Sequence, residues 1–312
     1  MVQNAYEQIV ELSSLPNAID MTTEYLAAAM STFLKEGERV LICFPEHKEG
    51  NVSWLFEQAV RRCGATPVLW GPDRRWKTLL QQAFYSRAAA IIGPPLIVLG
   101  LSKIKRQNGT PLYIRRVITA GYPCPDWMID GIIKGLDCRT WGCFGLDTTA
   151  AVAGFSCGKS RGVHLRSKVF SVDILDPDGQ KLPDGQVGEI VLYPTAAPHL
   201  RHSLGDLGRL ERSLCECGNP VIRLMDMRPG KNVDPDLEEL RQYLHSWTSV
   251  LDCRLEKGEY GLELEMIVFP GEKLPVLPTA AKLVIRPFDP KHDVPYAYPV
   301  HGKKTDFSFE SH

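Results

Sequence analysis

The sequence predicts an α/β protein: a large domain with a covered, mainly parallel sheet and an antiparallel subdomain, followed by a small C-terminal α+β domain. Helix-like and strand-like segments alternate from Thr22 to Phe144. After about residue 165 the chain changes to alternating strands joined by turn residues. A helix followed by three strand-like segments begins near Met227. We therefore expect two domains, residues 1–226 and 227–312.

The first section carries the pattern of a doubly covered sheet. Thr22 can cap an amphipathic helix, TTEYLAAAMSTFLKE, whose apolar residues recur at helical spacing. RVLICF, AAAIIG and RRVITAG are short apolar strands that lie between further helix-like segments. Strands buried on both faces are typical of parallel sheets with helices on each side.

The second section indicates antiparallel strands. KVFSVDIL and VGEIVLY alternate apolar and polar residues, and DPDGQKLPDGQ lies between them. Asp-Pro-Asp-Gly is a strong turn sequence. We therefore expect a second sheet or a barrel at this point.

The third section predicts the small C-terminal domain. Asp234 precedes Pro235, and this pair starts the helix DLEELRQYLHSW. VLDCRLE, LELEMIVF and KLVIRPF follow as strands.

Composition excludes several classes of partner. Lysine and arginine number 36 against 37 acidic residues, so no net charge attracts nucleic acid or an anionic membrane. The longest apolar run, Ala88 to Leu101, is shorter than the roughly 20 residues that span a bilayer. The first residues lack the basic region of a signal peptide. Nine cysteines then indicate thiols or metal ligands and not disulfides, and the expected location is the cytoplasm.

The most informative motif is PHLRHSLGDLGRLERSLCECG, residues 198–218. Taken alone, its Gly-Asp pair is most often a turn. Residues 198–207 nevertheless align without a gap to P-I-I-R-Y-R-T-G-D-L, which C-x-C-G follows in the phenylacetate–CoA ligases of the adenylate-forming superfamily. The resemblance implies that Asp206 accepts hydrogen bonds from the ribose hydroxyls of an adenylate.

Other segments resemble the same family in the same order. LDPDGQKLPDGQVGEIVLY is similar to the hairpin before the ribose motif, and RRVITAGYPCP is similar to the strand and turn beside the adenine. TWGCFGLDTTAAVAG resembles the Y-G-L-T-E motif. The resemblance implies that further nucleotide-binding positions are Gly121, Phe144, Gly145, Asp147 and Thr148.

The C-terminal part continues the resemblance, which covers roughly residues 13–305. RPGKNVDPDLEELRQYL is similar to the start of the family's mobile C-terminal domain. Asp226 is the nearest match to the family's hinge aspartate. PVHGKKTDF resembles the terminal S-E-G-K segment, so Lys303 matches the catalytic lysine and Lys304 is the alternative.

The sequence departs from the family at the ATP phosphates. The family's loop, like T-S-G-T-T-G-K-P, wraps phosphates with backbone N–H groups because glycine permits their approach. The matching stretch here is VELSSLPNAIDMTTEYL, with neither those glycines nor the lysine. Thr148 stands at the glutamate that helps to hold magnesium, and a hydroxyl is a poorer ligand for this cation. The residues that usually precede the loop are absent too, so we expect an N-terminally shortened member.

Two functional hypotheses follow from this comparison. In the first, the protein is a degenerate relative that binds a nucleotide, an acyl-CoA or a protein partner and does not form an adenylate. In the second, it is an active ligase that uses ATP with magnesium to convert a carboxylic acid into an acyl-AMP and then transfers the acyl group to CoA. A homodimer is compatible with both hypotheses.

Four residues form a candidate metal site. Cys157 and His164 follow the Y-G-L-T-E-like segment, and Cys215 and Cys217 form a C-x-C pair after the ribose motif. Unrelated buried thiols are the alternative interpretation. The resemblance implies a structural zinc at matching places, and three thiolates with one imidazole make a closed tetrahedral set.

Overall fold

The computed structural model describes residues 18–146, 151–196, 198–199, 201–230, 233–277, 280 and 282–296. The helices are α1 (Ala18–Ser31), α2 (Val52–Arg62), α3 (Trp76–Tyr85), α4 (Pro95–Asn108), α5 (Asp126–Leu136) and α6 (Pro235–Ser246). The first strands are β1 (Arg39–Ile42), β2 (Thr66–Leu69), β3 (Ala90–Gly93), β4 (Arg116–Thr119), β5 (Arg139–Leu146), β6 (Ala151–Phe155) and β7 (Val163–Leu165). The others are β8 (Phe170–Leu175), β9 (Gly188–Pro194), β10 (His202–Glu211), β11 (Arg223–Arg228), β12 (Val250–Gly258), β13 (Gly261–Val268) and β14 (Lys282–Pro287).

A parallel half-sheet forms the first part of the large domain, as the sequence predicts. Its order is β2-β1-β3-β4-β5. Helices α1 and α2 pack on one face, and α3, α4 and α5 pack on the other. Strand β3 is buried along its whole length because both faces are covered.

The second part of the large domain continues the same sheet. Strand β5 pairs in parallel with β4 and antiparallel with β6. The order beyond β5 is β6-β7-β11-β10-β9-β8. The predicted antiparallel subdomain is therefore confirmed, and it is an extension of the parallel sheet rather than a separate barrel.

Strand β11 leads from the large domain to the small one and crosses the expected boundary at residue 226. Asp226 lies within it at φ 53°. Aspartate is among the side chains that adopt this left-handed region most readily. Its carboxylate accepts a hydrogen bond from Arg209 on the neighbouring strand β10.

The C-terminal domain is α+β, as predicted. Helix α6 packs on the sheet β12-β13-β14, in which β12 and β13 are antiparallel and β13 and β14 are parallel. Asp234 caps α6 by accepting hydrogen bonds from the backbone of Asp236 and Leu237. Pro235 occupies the first turn, where its missing N–H has no helical partner to lose.

The two domains share a hydrophobic core. Leu251, Ile267 and Phe269 of the C-terminal domain join the cluster formed by α3, α4 and α5. At the edge of this core, Lys103 on α4 is 8% exposed. Its Nζ donates to the carbonyls of Val250 at 2.6 Å and Trp247 at 3.3 Å. The C-terminal domain is therefore docked on α4 by both apolar and polar contacts.

Across the residues that the structure describes, none of the helices has the length and apolarity needed to cross a membrane.

Candidate functional site

A cavity of about 290 Å³ lies at the carboxyl end of β4. Its walls come from the turn after β4, the first turns of α5, strand β5, the connection between β6 and β7, and the end of β11. Ligands of open α/β sheets bind beyond the carboxyl ends of the parallel strands. The cavity also approaches the size range of small-molecule sites, which begins near 300 Å³.

Aromatic side chains form part of the cavity wall. Tyr122, Trp141 and Phe144 line it. The Tyr122 hydroxyl accepts a hydrogen bond of 2.9 Å from the backbone N–H of Leu96, in the first turn of α4. Burial raises the pKa of Tyr122 well above its ordinary value, so the hydroxyl stays protonated. Trp141 stacks on Phe33, with 4.0 Å between the ring centroids.

Three charged side chains on the cavity wall are paired with opposite charges: Arg161, Asp126 and Asp226. The Arg161 guanidinium bonds the Asp130 carboxylate and lies 3.8 Å from that of Asp126, both on α5. Asp226 is paired with Arg209. Arg228 is exposed at the end of β11 and also lines the cavity.

The structure brings part of the predicted nucleotide site to this cavity. Phe144 lines it, and Gly145 is the next residue on β5. Gly121 lies in the turn between the lining residues Thr119 and Tyr122. Its φ of 102° lies in the left-handed region, where a side chain would be strained.

Asp206 lies on β10, outside the set of described residues that line the cavity. It precedes Leu207, which pairs with the lining residue Arg228 across the β10–β11 ladder. The side chain is 4% exposed, and burial raises its pKa to about 7. Its ribose-binding role stays a prediction.

Lys303 and its alternative Lys304, together with Asp147 and Thr148, lie outside the described residues. Their predicted roles therefore stay expectations from the sequence.

The four predicted metal ligands come together in one cluster. All their ligand atoms lie within 4.8 Å of one another. The Sγ atoms of Cys157 and Cys215 are 3.6 Å apart, and Cys217 Sγ is 3.5 Å from His164 Nε2. A tetrahedral zinc with the usual bond lengths has S···S edges of about 3.8 Å and S···N edges of about 3.5 Å. The distances therefore fit a four-coordinate metal.

Backbone N–H groups support thiolates in this cluster. The N–H of Lys159 donates to Cys157 Sγ at 3.5 Å, and those of Cys217 and Asn219 donate to Cys215 and Cys217. Burial opposes ionisation of Cys215, but hydrogen bonds from the Cys217 backbone and from the side chains of Ser160, Cys217 and Cys157 lower its pKa to about 6, whereas the pKa of Cys217 is raised. His164 Nδ1 is buried with no hydrogen-bond partner in the described part of the chain. This donor set suits a thiolate-binding metal.

Four strands position these candidate ligands. Cys157 follows β6, His164 lies on β7, and the C-x-C pair lies in the connection between β10 and β11. Strands β7 and β11 pair antiparallel, with His164 opposite Arg223. The antiparallel pairing joins the two halves of the site, His164 and Cys215, which are far apart in the sequence.

The pairing of Arg161 was not predicted. Lysines and arginines close to Arg161 in the sequence, Lys159, Arg166 and Lys168, are typical of a solvated basic face or of an anion site. The structure instead places Arg161 against Asp126 and Asp130. The two carboxylates are four residues apart, which puts them on one face of α5. That spacing is the signal from which a cation partner for α5 could have been inferred.

Comparison with known proteins identifies the fold. No family model matches the sequence, and no curated protein matches it. Among solved structures, 2-hydroxyisobutyryl-CoA ligase in the postadenylation state with 2-HIB-AMP has a TM-score of 0.68 at 15% identity, over 92% of this chain and 70% of that chain. The same enzyme with 2-HIB-AMP and CoA in the thioesterification state has a TM-score of 0.60 at 17% identity, over 91% and 68%. The anthranilate CoA ligase AuaEII in complex with anthranoyl-AMP has a TM-score of 0.55 at 14% identity, over 85% and 59%.

The chain therefore has the fold of the adenylate-forming enzymes, and the predicted resemblance is confirmed at that level. At these identities the likeness establishes the fold alone. The chemistry depends on the residues of the site.

Proposed function

We propose that this protein is a phenylacetate–CoA ligase-like relative of the acyl-adenylate-forming enzymes that binds an adenine nucleotide without activating a carboxylic acid. The observation that carries the proposal is the cavity at the carboxyl end of β4. Tyr122 and Phe144, from two segments that resemble the family's adenine-binding segments, lie on its wall. Aromatic walls suit a planar purine because ring faces stack favourably.

The lack of adenylation follows from the charges of ATP. The β- and γ-phosphates need N–H donors and a metal carboxylate, and the sequence lacks the glycine loop and has Thr148 at the glutamate position. Arg161 on the cavity wall is already paired with carboxylates. A dense anion without compensating partners is costly to remove from water. Positioning and charge neutralisation are also what catalyse transfer at phosphorus.

We predict that the protein binds AMP at least as tightly as ATP–magnesium and fails at pyrophosphate exchange with a broad set of carboxylic acids. Each charge-assisted hydrogen bond is worth roughly 1.5–3 kcal/mol, so losing two or three removes any advantage of ATP over AMP. Calorimetric titration with AMP, ATP–magnesium and CoA measures the affinities, and exchange of labelled pyrophosphate measures the activity.

Two variants distinguish the contributing residues. Asp206→Ala should weaken AMP binding by about tenfold, since it removes a double acceptor for ribose hydroxyls. Lys303→Ala should leave AMP affinity unchanged, because its family role concerns the developing charge of adenylation. AMP binding that is unaffected by Asp206→Ala would remove the ribose-binding role from this residue.

The alternative is an active ligase. The likeness to solved CoA ligases in complex with acyl-AMP and CoA favours it. Under this hypothesis Lys303 steadies the charge that develops between carboxylate and phosphate. Robust pyrophosphate exchange that disappears in Lys303→Ala would establish the ligase and overturn the degenerate function.

We also propose that the metal of the cysteine–histidine cluster is zinc with a structural role. Three thiolates and one imidazole complete its usual coordination and leave no position for a substrate or water. The cluster joins the β6–β7 connection to the β10–β11 connection, so the metal would stabilise the antiparallel half of the sheet.

A further inference from the structure

The connection between β6 and β7 belongs to both the cavity and the metal cluster. We call residues 156–162 the metal loop. Cys157 is part of it, and His164 follows it on β7. Ser160 and Arg161, from the same loop, line the cavity. A displacement of the loop at the cluster is therefore also a displacement of the cavity wall.

Two glycines allow the metal loop to lie close to its neighbours. Gly158 has φ 68° and Gly162 has φ 83°. A Cβ at Gly158 would lie 2.6 Å from Nε1 of Trp141, and one at Gly162 would lie 2.2 Å from Sδ of Met225. Both positions therefore require glycine for conformation and for space. The loop is packed between Trp141 of β5 and Met225 of β11.

Polar contacts tie the metal loop to the cluster and to α5. Ser160 Oγ lies 2.9 Å from Cys215 Sγ and accepts a hydrogen bond of 3.2 Å from Arg223. At the next residue, the Arg161 guanidinium is paired with Asp130. Ser160 thus contacts the sulfur of Cys215 in the cluster, and the adjacent Arg161 contacts helix α5 at the cavity.

We propose that metal occupancy of the cluster controls the ligand affinity of the cavity. This inference rests on the proposed nucleotide binding and concerns the regulation of that site. A bound metal ties Cys157 and His164 to the C-x-C pair and so holds the metal loop against the wall. Without the metal, AMP binding has to order the loop, and this ordering lowers the affinity.

Reciprocity provides the test. If zinc raises the affinity for AMP by a given factor, AMP raises the affinity for zinc by the same factor. We expect a factor of about ten, within the usual range of coupling between two sites. Calorimetry measures AMP binding to zinc-loaded and chelator-treated protein. Transfer of zinc from the loaded protein to a chromogenic chelator, with and without saturating AMP, measures the reciprocal effect without requiring a folded metal-free protein.

A variant on α5 tests whether the ion pair between the metal loop and this helix carries the coupling. Asp130→Asn removes the nearer of the two carboxylate partners of Arg161 but lies outside the cavity lining and the cluster. It should retain zinc while reducing the protection that AMP gives against the chelator. Lys134→Gln, an exposed position on the same helix, is the matched control and should behave like the parent protein.

The outcomes distinguish this inference from the proposed function. An equilibrium transfer of zinc to the chelator that AMP does not change, in a protein that binds AMP, overturns the coupling. Failure of the zinc-loaded protein to bind AMP overturns the proposed function. In that case, hydrogen exchange of residues 156–162 still tests the loop. Faster exchange of cavity-wall amides after zinc removal supports the link between cluster and wall, and unchanged exchange overturns it.

Discussion

Replacing Cys215 with serine should lower the melting temperature by roughly 10 °C, because loss of a metal site is among the few changes that cost about 4 kcal/mol or more. Cys215 is 2% exposed and lies 3.6 Å from Cys157 Sγ, so a hydroxyl in its place leaves an incomplete buried site. Purified parent protein should contain about one zinc per chain, since structural sites of this type retain metal without its addition. Metal analysis and scanning calorimetry measure the two quantities.

Cys63→Ser is the control for this experiment. Cys63 is half-buried, lies at the end of α2 and is not part of the cluster. Its thiol donates a hydrogen bond to the carbonyl of Ala27, and a serine hydroxyl is also a donor. This variant should keep its zinc and melt within a few degrees of the parent, as expected for a substitution outside the core and outside the metal site. A parent protein that is purified without zinc and melts at the same temperature as Cys215→Ser would refute the metal site.

The second large effect concerns the docking of the C-terminal domain. Lys103→Met should destabilise the protein by about 2–4 kcal/mol, because it leaves one buried and one partly buried carbonyl without their donor, and an unsatisfied buried group costs about 1–3 kcal/mol. Methionine has a similar length but donates nothing, so Val250 and Trp247 lose the bonds that Lys103 supplies. We also expect the radius of gyration to rise, since these bonds join α4 to the other domain. Chemical denaturation and small-angle scattering measure the two changes.

Lys105→Met is the matched control, because it removes a lysine–carbonyl hydrogen bond that does not join the two domains. Lys105 lies on the same helix and donates to the carbonyl of Leu136, within the large domain. Its replacement should lower the free energy of unfolding but leave the scattering profile unchanged.

The parent protein should show one domain arrangement with or without AMP, because the contacts of Lys103 form in a single docked position. Two arrangements that respond to nucleotide, or a Lys103→Met protein with unchanged stability and scattering, would contradict this interpretation.

Elements dominated by local patterns could be predicted from the sequence. The run AAAIIG gives a strand buried on both faces, and it is β3 in the structure. The Asp234–Pro235 pair gives the start of α6, because capping and a fixed φ act within one turn. The cluster of four candidate metal ligands could also be found, since each pair is close in sequence and the resemblance relates the two pairs.

Features that depend on distant contacts could not be predicted in this way. Lys103 lies in the segment SKIKRQN near the end of α4, where basic residues usually remain solvated and favour the helix dipole. It is buried only because residues 247–250 of the other domain cover it. Tyr122 lies in the turn after β4, and nothing local indicates that its hydroxyl bonds the first turn of α4.

Strand β5 has a further consequence for how the large domain unfolds. It shares hydrogen bonds with a parallel neighbour on one side and an antiparallel neighbour on the other. The parallel and antiparallel parts of the large domain are therefore one cooperative folding unit, and the cavity lies where the two parts meet at β5. Heating should melt residues 39–228 in a single cooperative transition, and the cavity should survive intact until that transition begins.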